Sequence, residues 1–278
     1  MRLQQKDLMM PNTFEALFSQ AHTGANGNTA GRAVKLSIDG VSHAFGDNLV
    51  LDNVSLDIAP GEFVCVLGAS GCGKSTLFNA VSGLLPITTG SIRLDGEDIV
   101  GKPGNVGYML QKDLLLPWLT ALDNIVLGAS LTRGATQDDR LRATALATHY
   151  GLGSYLNNYP ATLSGGMRQR IALMRTITAG RDLMLLDEPF GALDSQTRLS
   201  MQQWLLQVWA ETGRTIMFVT HDVDEAIFLA DRIVVLLPRP GRIGRILNVD
   251  LERPRDVSCM TSSTFISLKA EALDLLYR

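Results

Sequence analysis

Residues 62–76 read EFVCVLGASGCGKST: an apolar run, three glycines within six positions, then a lysine and two hydroxyl side chains. Glycine weakens regular structure, so three of them directly after a buried-strand pattern mean a backbone bent around something. Gly68, Ala69, Ser70, Gly71, Cys72, Gly73, Lys74 and Ser75 satisfy G-x-x-x-x-G-K-[ST] at every fixed position, and the helix-compatible STLFNAVSG follows from Ser75 and Thr76. In such a loop, successive backbone N–H groups turn inward around phosphate oxygens, and the helix start adds partial positive charge. Lys74 then reaches the β- and γ-phosphates, and the Ser75 hydroxyl ligates Mg²⁺.

Outward from this loop, short strand patterns dominate. VKLSIDGVS, VSLDI, SIRL and NVGYML read as strands, with Asp95-Gly96 as a tight turn. Between about 112 and 164 the pattern becomes helical: ALDNIVLGASL and DDRLRATALATHYG carry helical spacing. DLMLLD, TIMFVT and RIVVLL then return as apolar, strand-like runs separated by helices. In QTRLSMQQWLLQVWAET, Met201, Leu205, Val208 and Trp209 share one face. Strands alternating with helices predict an α/β fold with a mostly parallel sheet covered on both sides, and a helical subdomain inserted over 112–164. Residues 19–31, SQAHTGANGNTAG, read as a flexible linker within a tail spanning 1–32; 13–18 allow one or two helical turns.

Bulk properties narrow the function classes. The chain has 278 residues, 46% hydrophobic, enough for one large domain or two small ones. A net charge of −3 argues against binding nucleic acid chiefly through its phosphates. Cys65, Cys72 and Cys259 match neither a disulfide framework nor a zinc spacing, and Cys65 reads as a small buried hydrophobe, which fits a reducing cytosol. No run reaches the roughly 18 apolar residues of a membrane span, and the N-terminus lacks the apolar core of a secretory signal. Association with a membrane protein stays open.

A phosphate loop alone does not separate kinases, GTPases and transport ATPases. LSGGMRQR at 163–170 places Ser164 as an N-cap, with Gly165 and Gly166 baring N–H groups at a helix start. Read alone, that describes either an anion site or an ordinary capped helix. The segment closely resembles the signature motif of ABC-type ATPases, and the other motifs of that family follow in order over about 34–240. The resemblance implies a P-loop NTPase core with an antiparallel β subdomain and the inserted helical subdomain. It implies that Asp187, ending LMLLD, holds Mg²⁺, and that Glu188 is the general base for the attacking water. His221, after TIMFVT, would contact the γ-phosphate. Gln111, after VGYML, would sense Mg²⁺ and hinge the helical subdomain. Asp194 stands in the place of the family's D-loop aspartate. Phe45 stands where the family stacks an aromatic on adenine, although it also suits an apolar cover for a sheet edge.

The resemblance further implies two copies closing head to tail around two MgATP, with Ser164, Gly165 and Gly166 completing the site of the other copy. LQKDLLLPWLTALDNI, DEPFGALDSQTR and the C-terminal tail over about 240–278 look like the nitrate, sulfonate and taurine importer ATPases. The expected partners are a transmembrane permease and, indirectly, a periplasmic or extracellular solute-binding protein. The expected location is peripheral, on the cytoplasmic face of the inner membrane. A soluble ABC protein acting on ribosomes or DNA is the rival, although it usually carries two cassettes or a long coiled-coil insertion. A P-loop kinase leaves LSGGMRQR and His221 unexplained. In LLLPWLT at 114–120, Trp118 either anchors the subdomain's own core or, with Leu115 at its rim, forms a patch for a permease helix. The helix expected over 264–277 packs on the core or meets the second copy.

Overall fold

The computed structural model describes residues 33–277. The tail expected over 1–32, with its helical turns at 13–18, lies outside the described residues.

Two sheets organise the chain. The first is antiparallel: β1 (Leu36–Phe45) lies between β2 (Asn48–Ile58) and β4 (Thr89–Leu94), and β5 (Glu97–Asp98) follows β4 at the edge. The turn joining β4 to β5 is Asp95-Gly96, both with positive φ, as predicted for that dipeptide. The second sheet contains β3 (Phe63–Leu67), β6 (Gly107–Met109), β7 (Leu183–Asp187), β8 (Thr215–Thr220), β9 (Arg232–Leu237) and β10 (Arg242–Asn248), in the order β10-β9-β3-β8-β7-β6. Every pairing in it is parallel except β9 with β10.

Every residue of β3, β7 and β8 is buried, which is why these strands read as unbroken apolar runs. Alternation survives in where the side chains go. Phe63, Cys65 and Leu67 enter one core, while Val64 and Val66 enter the other. The Val64 side holds helix α1 (Lys74–Val81) and the antiparallel sheet. The Phe63 side holds the helices that follow: α2 (Ala121–Ile125), α3 (Leu127–Arg133), α4 (Gln137–His149), α5 (Gly165–Thr178), α6 (Ser195–Thr212) and α7 (Val223–Leu229). Met201, Leu205 and Val208 of α6 are buried as their spacing predicts, and Trp209 packs against them from the edge.

Helix α5 packs against α2, α3 and α4, so the signature segment opens a helix of the same layer. Strand β10 has no sequence counterpart in the predicted elements. Only Leu247 of it is buried, so an arginine-bearing edge strand shows no apolar alternation. Helix α8 (Ser263–Tyr277) packs on the core through Phe265 and Ala272, and Lys269 Nζ reaches Asp224 of α7 at 2.8 Å. Of the two roles considered for this helix, the described contacts are those of core packing.

Candidate active site

Parallel strands deliver their C-terminal ends to one edge of the sheet, and loops leaving that edge are natural ligand sites. Strands β3, β8, β7 and β6 are neighbours in that order. The segments leaving them carry the phosphate loop, His221, Asp187 with Glu188, and Gln111.

The phosphate loop turns because its glycines accept conformations other residues resist. Gly71 has φ 79° and Gly73 φ 100°, and a Cβ on Gly73 would stand 2.9 Å from Leu51 Cδ2. Gly73 also begins α1, with no side-chain cap spending the helix's first N–H groups. Lys74 is 6% exposed. Its ammonium donates to the carbonyls of Gly68 at 2.8 Å and Ala69 at 3.0 Å, which holds the charge at the loop's inner rim. Cys72 is buried, and burial pushes its thiol above the usual range.

Glu188 is the meeting point of the remaining groups. Its Oε1 lies 4.0 Å from Lys74 Nζ. Its Oε2 accepts from Gln111 Nε2 at 3.3 Å and lies 3.2 Å from His221 Nδ1. The backbone of Glu188 is left-handed, φ 44°, and its N–H donates to the Val219 carbonyl of β8. Beside it, burial and then the Glu188 charge push the Asp187 carboxyl above the usual range. The Ser75 hydroxyl, the Lys74 charge and the Tyr108 hydroxyl pull the other way. Two adjacent carboxylates, one buried, with a serine hydroxyl against it, form an oxygen-rich site short of positive charge.

Not all expected residues converge there. Ser164 caps α5, accepting from Met167 N at 3.3 Å, and Asp194 caps α6, accepting from Thr197 N at 3.0 Å. A Cβ on Gly166 would stand 3.1 Å from Thr197 Cγ2, so the two caps neighbour each other. Among the described residues, no hydrogen bond joins Ser164, Gly165 or Gly166 to the phosphate loop of the same chain. Phe45, at the end of β1, is 54% exposed. Its ring meets His43 edge-on at 4.6 Å, and among the described residues neither nitrogen of that buried imidazole has a hydrogen-bond partner. His43 and Tyr108 are neighbours of the site that sequence reasoning passed over, because each reads as one more residue of a strand.

The loop after Gln111 corrects one expectation. Leu115 is 8% exposed and belongs to the core under the helical layer, so it is not a rim residue. Trp118 is 69% exposed and Leu114 49%, so Trp118 does not anchor that core. The partition follows from how the loop is pinned. Asn124 is fully buried; its Oδ1 accepts from Leu116 N at 2.8 Å, and its amide donates to Leu116 O, Leu119 O and Thr120 O at 3.0–3.2 Å. From α5, Arg175 donates to the carbonyls of Asp113 and Leu114, and Arg168 reaches the Asp113 carboxylate at 3.1 Å and the Leu163 carbonyl at 2.7 Å. Arg168 thus ties the segment after Gln111 to the residue before Ser164.

The chain resembles known proteins over most of its length. Residues 51–191 match the family described as ABC transporter. The chain is 44% identical over 203 residues to the taurine import ATP-binding protein TauB of Rhizobium johnstonii, covering 73% of this chain and 78% of that one. It is 41% identical over 251 residues to the bicarbonate transport ATP-binding protein CmpD of a Synechocystis strain, covering 87% and 89%. Among solved structures, it resembles the ATP-binding cassette MJ0796, determined as a dimer in a post-hydrolysis state bound to ADP and Pi. The TM-score is 0.65 and the identity 30%, over 78% of this chain and all of that one.

Proposed function

The chain belongs to the ABC transporter family of ATP-binding proteins, and on that premise we propose that it is the ATP-hydrolysing subunit of a bacterial importer for a small polar solute. The observation that carries the chemistry is the Glu188 carboxylate within 3.2–4.0 Å of His221, Gln111 and Lys74.

The residues fit Mg²⁺. It favours oxygen ligands and is usually held by one or two carboxylates together with substrate phosphates, and the burial and neighbouring Glu188 charge that raise the Asp187 carboxyl are what a cation would offset. Ser75, Asp187 and Gln111 would hold the ion, which when bound neutralises developing charge on the β- and γ-phosphate oxygens. The backbone from Gly68 to Thr76 cradles the phosphates, and Lys74 balances the β/γ charge. Glu188 takes a proton from water as the water oxygen bonds to the γ-phosphorus. The bond from that phosphorus to the bridging oxygen breaks, and the oxygen leaves with ADP. Gln111 and His221 keep the Glu188 carboxylate facing the water. Phe45 stacks on adenine.

Ser164, Gly165, Gly166 and Asp194 act across the interface with a second copy. Support comes, among the described residues, from their lack of bonds to their own phosphate loop and from the Gly165-Gly166 start of α5, which carries no side chain beyond the Ser164 cap. Leu114 and Trp118 offer the apolar dock for a permease helix, at the border of the helical subdomain over about 112–164. Residues from about 240 form a C-terminal extension. A peripheral place on the cytoplasmic face of the inner membrane follows from that permease. Among the described residues, no helix is long and apolar enough to cross a membrane. A solute-binding protein would deliver a nitrate-, sulfonate- or taurine-type solute, or bicarbonate, to the permease rather than to this chain.

The test is hydrolysis by the purified chain and solute uptake after reconstitution with its permease. Lys74→Ala should abolish both, because the phosphate charge loses its counter-ion. Hydrolysis at the parent's rate in that variant refutes the phosphate-loop assignment.

A further inference from the structure

The turn between β9 and β10 is Pro238-Arg239-Pro240-Gly241, and it is stitched to two other segments. Gly241 N donates to Val50 O at 2.7 Å, and Asp52 N donates to Gly241 O at 2.9 Å, a parallel bridge to the hairpin that follows Phe45. Gly241 also presses on the phosphate loop: a Cβ there would run into the Cys72 carbonyl, so glycine is required by close approach. These contacts set Arg239 beside a cleft of about 400 Å³ whose other walls are Asn48, Leu49, Val50 and Gly71. Small-molecule sites generally fall between about 300 and 1,000 Å³.

Arg239 is exposed and left-handed, φ 55°, a conformation that non-glycine residues rarely adopt. Among the described residues, no hydrogen bond or ion pair occupies its guanidinium. The cleft therefore joins a phosphate-loop wall, an apolar wall at Leu49 and Val50, and one free planar cation. Phosphate calls for the guanidinium fork, and a sugar and heterocycle call for the apolar wall.

We propose that Arg239 is a further nucleotide-binding residue, contacting the stretch of a nucleoside triphosphate between its base and the phosphates held by Lys74. This rests on the phosphate-loop reading above. Because the contact lies on the base side of Lys74, it serves ATP and ADP alike. It acts on binding more than on the chemical step.

The experiment measures ATP and ADP binding by the full-length chain with Mg²⁺ at low and high salt, beside KM and kcat. The variants are Arg239→Ala, Arg239→Gln, Arg239→Lys and Lys74→Ala. Loss of a charge-assisted hydrogen bond should raise Kd for both nucleotides about tenfold in the alanine and glutamine variants. KM should rise by a similar factor while kcat changes less than about twofold. Lysine should recover part of the affinity, and the deficits should shrink in high salt. Parent-like affinity in Arg239→Ala overturns the proposal, as does a loss in the alanine variant that glutamine restores, since packing rather than charge would then be responsible. If Lys74→Ala binds nucleotide normally, the phosphate-loop reading itself fails. If Lys74→Ala is defective and Arg239→Ala is not, only the Arg239 assignment falls.

Discussion

Replacing Leu115 and Trp118 by serine, one at a time, should separate two residues that stand three apart in one apolar segment. Leu115 is 8% exposed inside the core under the helical layer. Leu115→Ser loses the transfer energy of a buried side chain, leaves a cavity and buries a hydroxyl, for about 3–4 kcal/mol. At roughly 2–4 °C per kcal/mol for a chain of this size, the isolated subunit should melt about 10 °C lower. Trp118 is 69% exposed, which leaves 31% of it covered. Taking its full area as ~250 Å², that is ~75 Å², worth at most about 2 kcal/mol at 25 cal/mol per Å². Residual burial in the unfolded chain brings the figure closer to 1 kcal/mol, a shift of a few degrees. Against the permease the order reverses. An exposed tryptophan that becomes the centre of a dock carries about 2 kcal/mol of binding, so Trp118→Ser should weaken association about 30-fold. Melting curves of the free subunit, titration against permease-containing membranes and solute uptake give the three readouts. Undiminished permease binding by Trp118→Ser refutes the dock, and an unshifted melting temperature for Leu115→Ser refutes the burial argument.

Glu188→Gln keeps the shape and removes the base. It should cut kcat by about 10²–10⁴ while ATP still binds, and gel filtration with MgATP should show a dimer that outlasts the parent's. A variant that hydrolyses normally and stays monomeric contradicts both the base and the paired arrangement. Asp187→Asn should stabilise the fold at neutral pH while abolishing Mg²⁺-dependent hydrolysis. The folded carboxyl holds its proton more tightly than the unfolded one, so its ionisation destabilises the fold. That cost is absent below the ordinary carboxylate range, grows as pH rises towards the raised folded value and is complete above it. The melting difference between variant and parent, followed from pH 3 to 8, should open in that direction; a gap that closes with rising pH rejects the sign. Asn124→Ala strands the buried Leu116 N–H and the carbonyls that the amide serves, costing about 2–3 kcal/mol and loosening the 116–120 turn. Faster amide exchange confined to that turn and α2 is the expected signature, and unchanged exchange there counts against it.

Much of this protein is legible in one dimension because its chemistry uses contiguous segments. The phosphate loop needs glycines at fixed spacing before a lysine, and the buried strands β3, β7 and β8 must be apolar throughout, so both are written as local patterns. Their order along the chain also names the family. What local pattern leaves undetermined is exposure within an apolar run. LLLPWLT does not say that Leu115 turns in and Trp118 out. That is decided by Asn124 and Arg175, 9 and 60 residues further on, which bind the loop's backbone and leave its side chains one way to face. Strand β10 escaped notice because an edge strand beside solvent needs no alternation. Arg239 joins the phosphate loop only through backbone contacts between segments about 170–190 residues apart in sequence. Local residue spacing dictates secondary structure and loop chemistry. Which side chains share a cleft depends on strand order, and strand order is set by packing across the whole sheet.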